Sequence, residues 1–132
     1  MIVLDEQLTG RGLERAIGHW YRGTVCFITA LRPNSVIKDE AIPALLRQQR
    51  HPTFVTINEQ DFWRHSRSDN RFCVVCFALN DSQVGLIAPA LRALLRHPLF
   101  RTKANRMGCV IRVSEATVAY YRHDDQVVRA LE

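Results

Sequence analysis

Carboxylates recur along this chain wherever an apolar run stops. Asp5 and Glu6 close "MIVL", Asn58, Glu59 and Asp61 close "TFVTI", and Asp81 follows "RFCVVCFAL". Asp39 and Glu40 stand at the head of "AIPALL", beyond the apolar run "TVCFITAL" and its loop. Two carboxylates about 4 Å apart repel by roughly 4 kcal/mol at an effective dielectric near 20. Three or four of them converge only if some are protonated or a cation neutralises them. Oxygen donors with no His in the pattern suit a hard divalent ion, Mg²⁺ or Mn²⁺. Such an ion lowers the pKa of a bound water and stabilises charge on phosphate oxygens. Taken singly, each acid has a plainer reading. Asp5 is a turn residue, Asp39 a helix N-cap and Asp61 a helix-start residue.

These side chains form one site only if the fold brings them to one edge. The apolar pattern predicts strands at 1–4, 24–31, 53–57 and 71–79, with helices at 8–20, 39–50 and 82–97 between them. Leu8, Leu13, Ala16, Ile17 and Trp20 line one side of the first helix. Pro43 lies about one turn into the second, where proline is still tolerated. Residues from Phe62 onward read as a short helical turn and a loop. "GCVIRVSE" and "TVAYYR" read as two last strands, a hairpin or a pair at the sheet edge. Strands alternating with helices imply a single α/β domain over 1–132, with a mostly parallel sheet and right-handed crossovers. All parallel strands then end on one edge, where ligands bind in such sheets. Four successive strand-to-helix junctions carry acid on that edge, and the basic residues mostly avoid them.

Composition narrows the setting. A chain of 132 residues with 47% hydrophobic side chains can bury about two-thirds of its unfolded surface without a covalent staple. No apolar run approaches the roughly 20 residues of a membrane span. "MIVLDEQL" has acid at its fifth position, no basic leader and no small-residue cleavage site, so it is not expected to be a secretory signal and a cytoplasmic protein is expected. Cys73 and Cys76 have the spacing of a metal knuckle, yet "RFCVVCFAL" is a strand, in which residues three apart face opposite ways. All four cysteines, Cys26, Cys73, Cys76 and Cys109, are expected as free core thiols. The histidines at 19, 51, 65, 97 and 123 are scattered and form no Cys–His or Ser–His arrangement. No Gly-rich phosphate loop is present. The formal charge of +5 comes from sixteen Arg against two Lys. Arg suits bidentate phosphate contact, which makes nucleic acid a reasonable partner; GC-rich coding produces the same bias.

"LDEQL" at 4–8, "KDEAIPALL" at 38–46 and "FVTINEQDF" at 54–62 resemble, in order and spacing, the PIN-like nucleases of the small stand-alone bacterial branch. That branch opens with strand-Asp-Glu-Asn-Leu, has an Asp at the head of its second helix, and runs strand three into Thr-x-Asp-x-Asp-Phe. The resemblance covers residues 1–63. It implies a three-layer α/β/α PIN-like fold and metal-dependent hydrolysis of RNA phosphodiester bonds. Asp5, Asp39 and Asp61 would then be catalytic and hold Mg²⁺ or Mn²⁺ with Asn58, and Thr56 would support the site. Glu6, Glu40, Glu59 and Asp81 are further supporting candidates. The sequence departs from the pattern in two places: Asn58 stands where the family has an Asp, and one extra residue separates it from Asp61. An Asn carbonyl can ligate a hard cation but brings no charge. The resemblance adds a toxin-like role, a protein antitoxin and a homodimer to the candidate partners beside RNA.

Arg101, Lys103 and Arg106 in "FRTKANRM" are candidates for RNA phosphate contact, with a solvated loop as the plainer reading. Trp63 reads as a core or rim residue, or as a platform for an RNA base. Two other functions compete. A PIN-like fold that has lost catalysis would serve as an RNA-binding or protein-binding module, and Asn58 supports it. A receiver-type signalling domain also has acids after strands one and three, but it needs a Lys after strand five. Lys38 and Lys103 fit that poorly.

Overall fold

The apolar runs pair into one sheet of seven strands: β1 (Ile2–Leu4), β2 (Val25–Phe27), β3 (Thr53–Thr56), β4 (Cys73–Phe77), β5 (Cys109–Val113), β6 (Val118–Arg122) and β7 (Arg129–Ala130). The computed structural model describes residues 1–58, 63, 69–115 and 117–131. The sheet order is β2-β1-β3-β4-β5-β6-β7. The first five strands in that order pair in parallel, and β6 and β7 add antiparallel. The described α-helices are α1 (Leu13–Gly18), α2 (Ile42–Arg47), α3 (Ile87–Arg96) and α4 (Lys103–Arg106). This is an α/β protein with a mostly parallel sheet, and "GCVIRVSE" and "TVAYYR" do form a hairpin, β5–β6.

Strand alternation sends side chains into two cores. Ile2, Leu4, Val55, Cys73, Val75, Phe77, Cys109 and Ile111 meet α1 and α3. Val3, Phe54, Val74, Cys76 and Val110 meet Ile42, Leu45 and Leu46 of α2. β4 is buried along its whole length, which explains the unbroken apolar "CVVCF". In α3, Ile87, Ala88, Leu91, Leu94 and Leu95 are buried at helical spacing.

Several elements are shorter than the apolar pattern suggests, among them the helix expected over 82–97, whose opening residues, Asp81–Leu86, form a 3₁₀ segment. β2 stops at Phe27 because β1 offers only Ile2–Leu4 as partner, and Ile28–Leu31 then coil into a 3₁₀ turn. The first helix begins at Leu13 because Gly10 and Gly12 take left-handed conformations, φ 79° and 71°. In the second helical segment, α2 starts at Ile42 with Pro43 in its first turn, and Asp39–Ala41 form a separate 3₁₀ turn ahead of it. The strand β7 was not expected; its two residues are exposed and carry no apolar signal.

The expectation of uniformly right-handed crossovers needs correction. The β1–α1–β2 and β4–α3–β5 connections run in opposite directions across the sheet, yet α1 and α3 pack in the same core. Two such crossovers must have opposite hands. The usual preference arises where a helix packs straight back on the strand it leaves. Here residues 78–108 also hold a 3₁₀ segment and α4, so the connection is more than one helix packed straight back on its strand.

Among the described residues, no helix is long and apolar enough to cross a membrane. Cys73, Cys76 and Cys109 are buried, and Cys26 is half-buried; all four are free. Cys73 lies in one core and Cys76 in the other, so the pair forms no knuckle. Burial pushes the Cys73 and Cys109 thiols up, further suppressing the reactive thiolate. A thiol reagent under native conditions is therefore expected to modify Cys26 first and to reach all four only after denaturation. Two thiols reacting together in the fast phase would contradict this packing.

Candidate functional site

Among the described residues, four charged or polar side chains are buried: Asp5, Thr53, Thr56 and Arg106. They form two hydrogen-bonded pairs at the two ends of β3. The Thr56 hydroxyl donates to Asp5 Oδ2 at 2.6 Å. Arg106 Nε donates to Thr53 Oγ1 at 3.1 Å. Thr53 and Thr56 are three residues apart in a strand, so their side chains leave opposite faces. At about 3.3 Å per residue, the pairs lie roughly 10 Å apart along the strand.

The Asp5–Thr56 pair lies at the carboxyl edge. Between β1 and β3 the sheet order reverses, because β1 leads outward to β2 and β3 leads inward to β4. Doubly wound sheets bind ligands at this kind of switch point. Asp5 leaves β1 there, its N–H donating to Val55 O of β3. Its side chain is 4% exposed. The Asn58 N–H donates to Thr56 Oγ1 at 2.9 Å, and Asn58 Nδ2 reaches Asp39 Oδ2 at 3.4 Å. One line of contacts thus joins Asp5, Thr56, Asn58 and Asp39, drawn from three separate strand-to-helix junctions.

The plainer reading of Asp39 as a helix N-cap does not hold here, whereas that of Asp5 as a turn residue does. Asp39 sits inside the 3₁₀ turn with Lys38 at the cap position, and Asp5 occupies the cap position of its own turn, its carbonyl accepting the Leu8 N–H. Burial pushes the Asp5 carboxyl above its usual range, while the Thr56 hydroxyl and the N–H groups of Gln7 and Glu6 pull the other way. The Glu6 charge adds to the upward push. A desolvated carboxylate with acid beside it gains from a nearby cation.

The other candidates are distributed as follows. Thr56 is fully buried, Asn58 half-buried, and Glu6, Asp39 and Glu40 are exposed. Asp81 is tied to Arg11, 3.2 Å away, rather than to the cluster. Asp61 and Glu59 lie outside the described residues. Trp63 packs on the α2 side of the sheet with its ring 5.1 Å from that of Tyr121, the rim role expected for it. Arg101, Lys103 and Arg106 sit at the amino edge of the sheet, away from Asp5, and Arg106 is buried rather than solvated.

The donor set of two carboxylates and a carboxamide fits a hard divalent cation in kind. Among the described residues no three His, Cys, Asp or Glu side chains gather closely enough to hold one. Sequence reading missed the Thr53–Arg106 pair. Its only signal was a threonine at each end of an otherwise apolar strand, "TFVT". Comparison with protein-family models, with characterised proteins and with solved structures returns no match. What defines the protein is therefore its own fold and site: an α/β sheet with oxygen donors joined across its switch point.

Proposed function

We propose that this chain is a metal-dependent ribonuclease of PIN-like, three-layer α/β/α architecture. The observation that carries this reading is the line Asp5–Thr56–Asn58–Asp39 at the β1/β3 switch point. Asp5, Asp39, Asn58 and Asp61 would hold Mg²⁺ or Mn²⁺, with Glu6, Glu40 and Glu59 adding negative potential around them. Bound there, the ion supplies a water of lowered pKa and stabilises charge on the phosphate oxygens. The chain's own contribution is preorganisation. Thr56 uses one hydroxyl to anchor Asp5 and to accept the Asn58 N–H, so both donors share a single rigid strand end.

One observation favours a second reading, an inert RNA-binding or protein-binding module. Asn58 presents a neutral amide to Asp39 where the resemblance expects a charged ligand. Incubating a labelled single-stranded RNA with millimolar Mn²⁺, or with EDTA, decides between them. The nuclease reading expects cleavage in Mn²⁺ alone. Intact RNA in both conditions would leave the inert module.

A further inference from the structure

The second buried pair opens on a cleft of about 280 Å³ at the opposite, amino edge of the sheet. It is lined by Trp20, Tyr21, Leu95 and five cations: Arg92, Arg96, Arg101, Lys103 and Arg106. No carboxylate lines it, and among the described residues none of the five cations is within salt-bridge distance of one. Arg92 and Arg96 project from the same side of α3, one turn apart. Mutual repulsion of so many like charges is tolerable in water, but it favours any anion that enters.

Arg106 makes the cleft more than a basic patch. It is 3% exposed, and its guanidinium is held by neutral groups alone: Thr53 Oγ1 through Nε, and the carbonyls of Phe100 and Arg101 through Nη1. A buried guanidinium without a counter-ion is costly unless an anion completes it. Nη2 has no acceptor among the described residues and is not fully buried, and is thus the accessible group left for that anion. Trp20 and Tyr21 form the apolar wall, their rings edge to face at 6.1 Å. The Trp20 indole N–H is buried and also lacks an acceptor among the described residues.

We propose that this cleft is a nucleotide-phosphate site, in which Arg106 and the rim cations hold the phosphate and Trp20 contacts the base. Its size, near the lower end of the roughly 300–1,000 Å³ of small-molecule sites, suits one ring and one phosphate group. Base-on-aromatic contact together with guanidinium–phosphate contact is the usual physical basis for holding a single nucleotide. The ligand could be a free nucleotide or the phosphorylated end of an RNA strand. The site lies on the other face and edge from Asp5, so it stands independently of the nuclease reading.

The test uses the full chain in EDTA, which silences any metal chemistry, in a Trp63→Phe background so that Trp20 is the sole indole. AMP, inorganic phosphate and a short single-stranded RNA with or without a 5′-phosphate are titrated against Trp20 emission and by calorimetry. AMP is expected to quench Trp20 and to bind more tightly than phosphate, which should compete with it. Arg92→Ala/Arg96→Ala changes only exposed side chains and should weaken AMP binding by about tenfold or more with the melting temperature unchanged. Tighter binding of the 5′-phosphorylated RNA than of AMP identifies a strand end as the source, and the reverse order identifies a free nucleotide. AMP binding no tighter than phosphate, or binding unaltered in the double variant, would overturn the proposal.

Discussion

Asp5→Asn is expected to lower Mn²⁺-dependent RNA cleavage by about 100-fold or more while making the metal-free protein more stable at neutral pH. Supporting groups around a metal typically alter activity by about 10–100-fold, and a directly ligating carboxylate does more. The asparagine keeps size and retains an acceptor for the Thr56 hydroxyl, so the 2.6 Å contact has a replacement. The charge alone is removed.

The stability half follows from linkage. The buried Asp5 carboxyl has a raised pKa in the folded protein, so the native state holds its proton more firmly than the unfolded chain. Its contribution is most favourable below the ordinary Asp value of about 3.9. It is lost progressively as pH rises through the higher, folded value. The variant lacks this loss. Melting curves in EDTA should diverge with rising pH above about 4, with the variant on top. Adding Mn²⁺ should raise wild type and leave the variant nearly unmoved. A variant that is less stable than wild type at every pH would show that Asp5 is a structural hydrogen-bond residue, not a charge held for a cation.

Asn58→Asp is expected to have the opposite pattern. Its amide now donates toward Asp39 Oδ2 at 3.4 Å; a carboxylate in that place would set two negative groups face to face. The repulsion ranges from roughly 1 kcal/mol with water-like screening to roughly 4 kcal/mol at an effective dielectric near 20. Asp39 is exposed, which puts the cost toward the lower end. A domain of this size would lose a few degrees of melting temperature in EDTA. Millimolar Mn²⁺ should restore that loss, and the shift should exceed the wild-type shift, because ligand charge count tunes affinity for hard cations. Cleavage should rise with it if charge at this position limits the wild-type site. Equal metal responses in the two proteins would put residue 58 outside the ion's reach and leave the site to Asp5, Asp39 and the segment containing Asp61.

What the amino-acid order determined by itself is local in kind. "RFCVVCFAL" reads as a strand, and Cys73–Phe77 form one, buried on both faces; the apolar spacing in 82–97 reads as a helix with one buried side, and Ile87–Arg96 form it after a 3₁₀ segment, Asp81–Leu86. The alternation of these elements implied a mostly parallel sheet, and with it a shared edge for the acids after each strand. Asp5 and Asp39 could be singled out on that basis because strand exits need only the chain direction to be placed on an edge. Element ends were less legible. β2 is cut short by the length of β1, a neighbour distant in sequence.

Tertiary structure decided which edge positions are neighbours. Periodicity records that a side chain faces a core, but not which strand lies beside it. The β2-β1-β3 order, which joins Asp5 to Thr56 and Asn58 to Asp39, is therefore invisible in any one segment. The opposite hands of the β1–α1–β2 and β4–α3–β5 crossovers likewise depend on where each connection finds its packing surface. The amino-edge cleft is the clearest case. Arg106 belongs to a short polar stretch that reads as a phosphate contact or a solvated loop, exposed in either case, and its burial depends on Thr53 and the Phe100 carbonyl reaching it across the fold. Trp20, Arg92 and Arg96 join it only because α1 and α3 pack side by side, a contact set by shape and apolar area rather than by any motif.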